Sequence, residues 1–273
     1  MSLRIQTNIE AYDAHRNLVS TVDQLATSMQ RLSSGFRINK AADDAAGLAI
    51  SEKLASQIGG LDQAQQNAQD AVNLVQTGDG ALAEVQSMLQ RVRDLAVEYN
   101  NGTLASSDKT AITSEVAQLC AEISDIGAQT AFNGINLLTG GQTITFQVGA
   151  EDGQTISASG IELFGSGASY AIDGAIFDFS GTVSLASIDA AIDNVSAARS
   201  TFGAVQNRLG HTLNNLSTYE ENLQASESSI KDVDMASEMV NFTKLQILQQ
   251  AGTAMLAQAN SSPQSVLTLL RGG

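Results

Sequence analysis

Tryptophan is absent from this 273-residue chain, proline occurs once, at Pro263, cysteine once, at Cys120, and aromatic residues make up only 4%. A compact catalytic core leans on more aromatic area than this. With so little proline, nearly the whole chain is free to be helical. A single cysteine excludes an intramolecular disulfide. Its neighbours Leu119, Ala121 and Glu122 bring no positive charge to activate a thiolate, so it reads as a small helical residue. No run of about 18 apolar residues exists, which predicts no membrane insertion. Met1 to Glu10 lacks the apolar stretch and small-residue cleavage site of a Sec-type leader, so export is expected by another route.

Chemistry is equally sparse. The two histidines are His15, on the extrapolated seam of the first helix, and His211, which has no acidic partner near it in sequence. No Cys/His cluster has metal-ligand spacing, and no glycine-rich phosphate loop follows a strand. Asp43-Asp44 and Asp232-Asp234 resemble paired carboxylates, but such residues also open helices, and that is the expectation here. No catalytic residue, cofactor or metal is therefore expected, and the chain is expected not to be an enzyme.

What the chain does have is an uneven charge. Residues 1–40 carry five Lys/Arg and three Asp/Glu, and residues 231–273 carry three of each. Residues 41–230 carry six basic and 23 acidic residues. Two nearly neutral, aliphatic ends thus flank an acidic middle. The acidic balance argues against nucleic acid as a partner. Neutral ends suit close packing against something, including other copies of the chain.

Heptad seams run through most of the sequence. Leu18, Val22, Leu25, Met29 and Leu32 step 4-3-4-3. Leu54, Ile58, Leu61, Gln65, Ala68, Val72 and Val75 do the same, Gly78-Asp79-Gly80 interrupts, and Leu82, Val85, Leu89, Val92, Ala96 and Tyr99 resume. This spacing predicts one helix over residues 45–98, about 80 Å long at about 1.5 Å per residue. Asn101-Gly102-Thr103 ends it. Ile112, Val116, Leu119, Ile123 and Ile126 form a third seam, with Ser107 as the expected N-cap. A return helix, antiparallel to the first set, is read from Ile188 through Ile192, Val195, Phe202, Leu209, Leu213, Leu216 and Leu223 to Ile230, with Arg199, Gln206, Glu220 and Glu227 as polar seam positions. Ten of the 23 glycines lie between Gly134 and Gly181. There the period changes to two: Thr143–Val148 alternates, Gly149–Gly153 turns, and Gln154–Ser157 is the expected partner strand of a β-hairpin. Weaker strands are read at Ile161–Phe164 and Ala175–Phe179.

The last segment is apolar over a wide arc. Val240, Ile247, Ala251 and Ala254 mark one stripe, and Leu245, Leu248, Met255 and Ala259 an adjacent one, which predicts burial on two sides. Ser262-Pro263 reads as an N-cap and first helical residue opening a final short turn. The fold class expected is therefore mainly α: a long antiparallel coiled-coil bundle with a small β-hairpin module and paired N- and C-termini. Residues 1–42 with 231–273 form one expected domain. Residues 43–230 form a rod-like second, with the hairpin near 140–181.

The stretch Ser28-Met29-Gln30-Arg31-Leu32-Ser33-Ser34-Gly35-Phe36-Arg37-Ile38-Asn39-Lys40, continued through Ala41 to Ile50, resembles the N-terminal block of bacterial flagellins. Phe132-Asn133-Gly134, Ala204-Val205-Gln206-Asn207-Arg208-Leu209, Glu221 to Leu223, Asp232 to Ala236, Ile247-Leu248-Gln249-Gln250-Ala251-Gly252 and Met255 to Asn260 resemble its other blocks. The match spans nearly everything outside about 140–185. Departures are Gln6, Gly78-Asp79-Gly80 in place of Ala-Glu-Gly, and Cys120. The resemblance implies a short flagellin without variable outer domains. It would polymerise head-to-tail into the filament that drives motility and would be secreted by the flagellar type III apparatus to lie outside the cell. The alternative it leaves is a hook–filament junction protein with similar terminal helices. Subunit packing would fall on Leu18, Val22, Leu25, Met29, Leu32, Val240, Ile247, Leu248, Ala251 and Met255. Partners would be other copies of the chain, an export chaperone on the C-terminal helix, and hook-associated and cap proteins. The segment Leu89 to Val97 is similar to one sensed by an animal Toll-like receptor, with Arg91, Leu95 and Glu115 as the contacts.

Overall fold

The computed structural model describes residues 8–139, 142–163, 172, 179 and 183–271, with side chains through Ser262 in the last helix. Five helices carry the chain: α1 (Ile9–Ser34), α2 (Ala45–Tyr99), α3 (Ser106–Gln129), α4 (Leu185–Lys231) and α5 (Met235–Arg271). Between α3 and α4 lie two antiparallel hairpins, β1 (Ala131–Phe132) with β2 (Ile135–Asn136), and β3 (Thr143–Gln147) with β4 (Thr155–Ser159). The chain divides into two compact units: residues 1–56 with 222–273, and residues 57–221.

The second unit is a rod built on α2 and α4. Hydrogen bonds from Gln65 to Glu220, Arg199 to Asp79 and Arg93 to Asp189 run in opposite sense along the two helices, so they are antiparallel. Along α2 one row of buried positions runs Leu61, Ala64, Ala68, Ala71, Val75, Gly78, Leu82, Val85, Leu89, Val92 and Ala96, with Leu74 and Leu95 buried beside it. This is an unbroken 3-4 heptad rhythm. It corrects the sequence reading at three places, because Ala64 and Ala71 occupy the seam where Gln65 and Val72 had been placed. Nor does Gly78-Asp79-Gly80 interrupt the seam. Gly78 is a seam residue, and a Cβ on it would lie 2.6 Å from Cε2 of Phe202, so that ring fills the space a side chain would take. Across the seam α4 does the same, burying Ile188, Ala191, Val195, Ala198, Phe202, Val205 and Leu209.

α3 packs on this pair through Ile112, Val116 and Ile123. It opens at Ala105, whose N–H donates to the Asp108 carboxylate, rather than at Ser107, which lies inside the first turn. At the end of α2, Tyr99 donates its hydroxyl to the Phe179 carbonyl and meets that ring edge-on with centroids 5.3 Å apart. Asn100 exchanges two hydrogen bonds with the main chain of Val183, at 3.0 and 3.2 Å. Those contacts seat the start of α4.

The β3–β4 hairpin forms where the alternation predicts it, with Phe146 opposite Ile156. Asn67 of α2 donates to the Gln147 carbonyl and holds the hairpin on the helix. The β1–β2 hairpin was not anticipated. Its turn is Asn133-Gly134, with φ of 49° and 81°, the left-handed pair that suits a tight hairpin turn. Ile161 to Leu163 form no strand, although Ile161 and Leu163 donate main-chain hydrogen bonds to Leu137 and Leu138. Phe164 and residues 175–178 lie outside the described residues.

The first unit pairs α1 with α5, also antiparallel: Asn8 Nδ2 donates to the Ala259 carbonyl at 2.7 Å, and Arg31 faces Glu238. Its two linkers are stitched together. Phe36 bridges Asp232, the Arg37 N–H donates to the Lys231 carbonyl at 2.7 Å, and the Val233 N–H to that of Gly35 at 3.0 Å. Both acidic pairs work as helix starts. Asp44 Oδ1 accepts from Gly47 N–H and Asp234 Oδ1 from Ala236 and Ser237 N–H. Asp43 accepts from the Asn39 and Lys40 amides, and the Asn39 bond first holds its carboxyl below the usual range. α5 does not break at Ser262-Pro263. It runs on to Arg271, since one proline removes a single donor and need not end a long helix.

Candidate assembly surface

The seam between α1 and α5 mixes small and polar residues with leucines and one phenylalanine. On α1 the buried or half-buried positions are Ala11, Ala14, Leu18, Thr21, Leu25, Ser28 and Leu32. On α5 they are Glu238, Phe242, Leu245, Gln249, Gly252, Leu256 and Ala259. A Cβ on Gly252 would come within 3.2 Å of Leu18 Cδ1, so the helices approach closely there. Two polar atoms in this seam, Ser28 Oγ and Arg31 Nε, are buried without a hydrogen-bond partner. Each such atom costs about 1–3 kcal/mol.

Other large apolar side chains point the other way. Val22 and Met29 lie outside the seam, as do Val240, Ile247, Leu248, Ala251 and Met255. Val240 is 72% exposed, Met255 64% and Ile247 61%. Ile9, Tyr12, Val19, Met235 and Met239 extend the same exposure. Of the ten residues read as subunit-packing from the sequence, Leu18, Leu25 and Leu32 are half-buried on the α5 side, and the other seven are presented outward. His15 is exposed as well. Soluble monomers rarely leave so much contiguous apolar surface open.

The residues tied to receptor recognition sit on the rod. Arg91 of α2 and Glu115 of α3 are both solvent-accessible and pair with each other, with Nη2 2.8 Å from Oε1. Leu95 is 2% exposed, so its side chain belongs to the rod core and no partner reaches it without moving that core. Cys120 is half-buried, and burial pushes its thiol up, away from a reactive thiolate. Among the described residues no group of His, Cys, Asp and Glu could hold a metal ion, and no helix is long and apolar enough to cross a membrane.

A helical pair that leaves a row of large aliphatic side chains turned outward, joined to an acidic rod, defines a self-assembling structural subunit. Comparison with known proteins gives the family. Residues 5–143 match the bacterial flagellin N-terminal helical region, and residues 185–270 the bacterial flagellin C-terminal helical region. A flagellin of Halalkalibacterium halodurans is 48% identical over 270 residues, 98% of this chain and 99% of that one. The flagellar filament 33 kDa core protein of Treponema phagedenis is 43% identical over 287 residues, 98% of this chain and 99% of the relative. The crystal structure of Bacillus cereus flagellin superposes with a TM-score of 0.50 at 33% identity, over 55% of this chain and 88% of that one. The chain belongs to the bacterial flagellin family: it is a structural subunit of the extracellular flagellar filament that serves motility, not an enzyme.

Proposed function

We propose that subunits join head-to-tail through the outward faces of α1 and α5, and that Val22, Met29, Val240, Ile247, Leu248, Ala251 and Met255 are buried only by neighbouring copies. The observation that carries this is the row of large aliphatic side chains that the terminal pair leaves exposed outside its seam. Surface that is not self-complementary about a two-fold axis propagates into an open helical array. Each burial returns about 25 cal/mol per Å² of apolar area, which offsets the entropy of ordering the ends. Residues 1–42 and 231–273 then act as the assembling domain and residues 43–230 as the rod. The same strip on α5 is the natural surface for an export chaperone to cover beforehand. Hook-associated and cap proteins would meet it at the two ends of the filament.

Placing charges on this face tests the reading. Val240→Asp combined with Ile247→Asp should leave the circular dichroism of the monomer intact and abolish sedimentable filaments. Filaments of ordinary length from that variant would end the proposal.

A second reading rests on Arg91 and Glu115, which form an exposed, mutually fixed charge pair across two helices of the rod. Such a patch suits recognition by the animal Toll-like receptor that the sequence resemblance implies, with Leu95 supporting it from below. Monomer carrying Arg91→Ala is expected to signal at least tenfold more weakly in receptor-bearing cells. Equal potency would remove this role.

A further inference from the structure

The sulfur of this chain is unevenly placed. Four of its six methionines, Met29, Met235, Met239 and Met255, lie on α1 and α5, which hold 26 and 37 of the 273 residues. All four are between 48% and 64% exposed. Met239 also forms part of an open groove along α5 with Val240, Thr243, Lys244 and Ile247. The rod is different. Its Met88 is half-buried and packs on the aliphatic core. Cys120 is half-buried too, and burial keeps its thiol protonated. Tryptophan, a competing target, is absent. Among the described residues, the side chains that a mild oxidant reaches first are therefore the thioethers of the terminal pair.

A peroxide converts such a thioether to a sulfoxide. The sulfur lone pair attacks one peroxide oxygen, the O–O bond breaks and an S–O bond forms. Sulfur gives up two electrons, and the other oxygen leaves as water. An apolar side chain thereby becomes a strong hydrogen-bond acceptor. On a face that water covers, the new oxygen is solvated and the fold of the free chain is unaffected. On a face that must be desolvated, an acceptor without a donor opposes association. We infer that Met29, Met235, Met239 and Met255 are an oxidation-sensitive control on polymerisation. A peroxide-class oxidant turns them into sulfoxides in the free chain and removes its competence to assemble. A thiol-dependent methionine sulfoxide reductase restores it: two thiols become a disulfide and the oxygen leaves as water. The inference rests on the reading above that other copies cover the outward faces of α1 and α5. Once covered, the same thioethers are shielded, so the control acts on free chains and spares finished filament.

Hydrogen peroxide treatment of the full-length monomer tests this. Peptide mass spectrometry should find one added oxygen on each of the four methionines before Met88 is modified. The critical concentration for polymerisation should rise at least tenfold with the monomer melting temperature unchanged, and reductase with dithiothreitol should return it to within about threefold of the untreated value. A chain carrying Met29→Leu, Met235→Leu, Met239→Leu and Met255→Leu keeps apolar volume at each site and should polymerise equally well before and after peroxide. Met88→Leu with Cys120→Ala retains the four terminal thioethers and should lose assembly on oxidation as the parent does. Treated parent polymerising at its untreated critical concentration would overturn the inference. So would loss of assembly in the treated four-leucine chain, or its retention in the treated Met88→Leu, Cys120→Ala chain. Should Val240→Asp with Ile247→Asp block assembly while the sulfoxides do not, this control falls and the terminal-helix reading stands.

Discussion

A chain cut back to residues 57–221 is expected to fold into a helical rod and to remain monomeric at every concentration tested. All the buried aliphatic seam of α2, α3 and α4, from Leu61 to Leu216, lies inside that segment. Nothing in that core depends on the terminal helices. Removing them deletes the faces that carry Val22, Met29, Val240, Ile247 and Met255. Removing only residues 1–40, or only 231–273, should have the same effect on assembly, because each helix then lacks the partner that positions its outward face. Sedimentation velocity and negative-stain microscopy read this directly. Filaments from any of the three truncations would show that the assembling surface lies in the rod.

The second large effect is expected at the Gly78–Phe202 contact. Phe202 is buried, and its ring occupies the volume where a Gly78 side chain would stand. Phe202→Ala should cost about 3–5 kcal/mol by opening a cavity. Gly78→Leu should cost about 1–3 kcal/mol by overpacking. Together the two changes are expected to cost less than their sum by more than about 1 kcal/mol, since the new leucine fills the hole that the ring left. Urea unfolding of the four proteins gives the coupling. Simple additivity would mean that the two sites do not share the space. The neighbouring fork, Arg199 Nε to Asp79 Oδ1 at 2.8 Å and Nη1 to Gln86 at 2.8 Å, starts at the residue after Gly78 and spans about two turns of α2. It ties the position of α4 to the same point of α2.

Much of this architecture was legible in the residues. The long helix of α2, the break at Asn101-Gly102-Thr103, the return helix and the β3–β4 hairpin all follow from period and punctuation. What the sequence concealed was which of two neighbouring stripes faces inward. Reading the larger side chain as the seam residue placed Gln65, Val72, Val22 and Met29 where the structure has Ala64, Ala71, Thr21 and Ser28. Hydrophobicity alone ranks Val above Ala and Met above Ser. Close helix contact ranks by volume, and at a tight crossing the small residue wins the interior. That error carried information. Along α1 and α5 the displaced large side chains are the ones left exposed, so the surface shows itself as a conflict between apolarity and burial. The Asn133-Gly134 turn was a missed signal of a simpler kind, a known hairpin dipeptide with strands of only two residues on each side.

The alanine- and glycine-lined seam also biases how this chain can vary. At Ala64, Ala68, Ala71, Gly78, Ala191 and Ala198, nearly every possible replacement adds volume. Drift at these sites therefore pushes the helices apart instead of hollowing them out. A helix separation that widens by even an ångström changes the girth of the rod. In a filament built from many copies, small increments in girth accumulate from subunit to subunit.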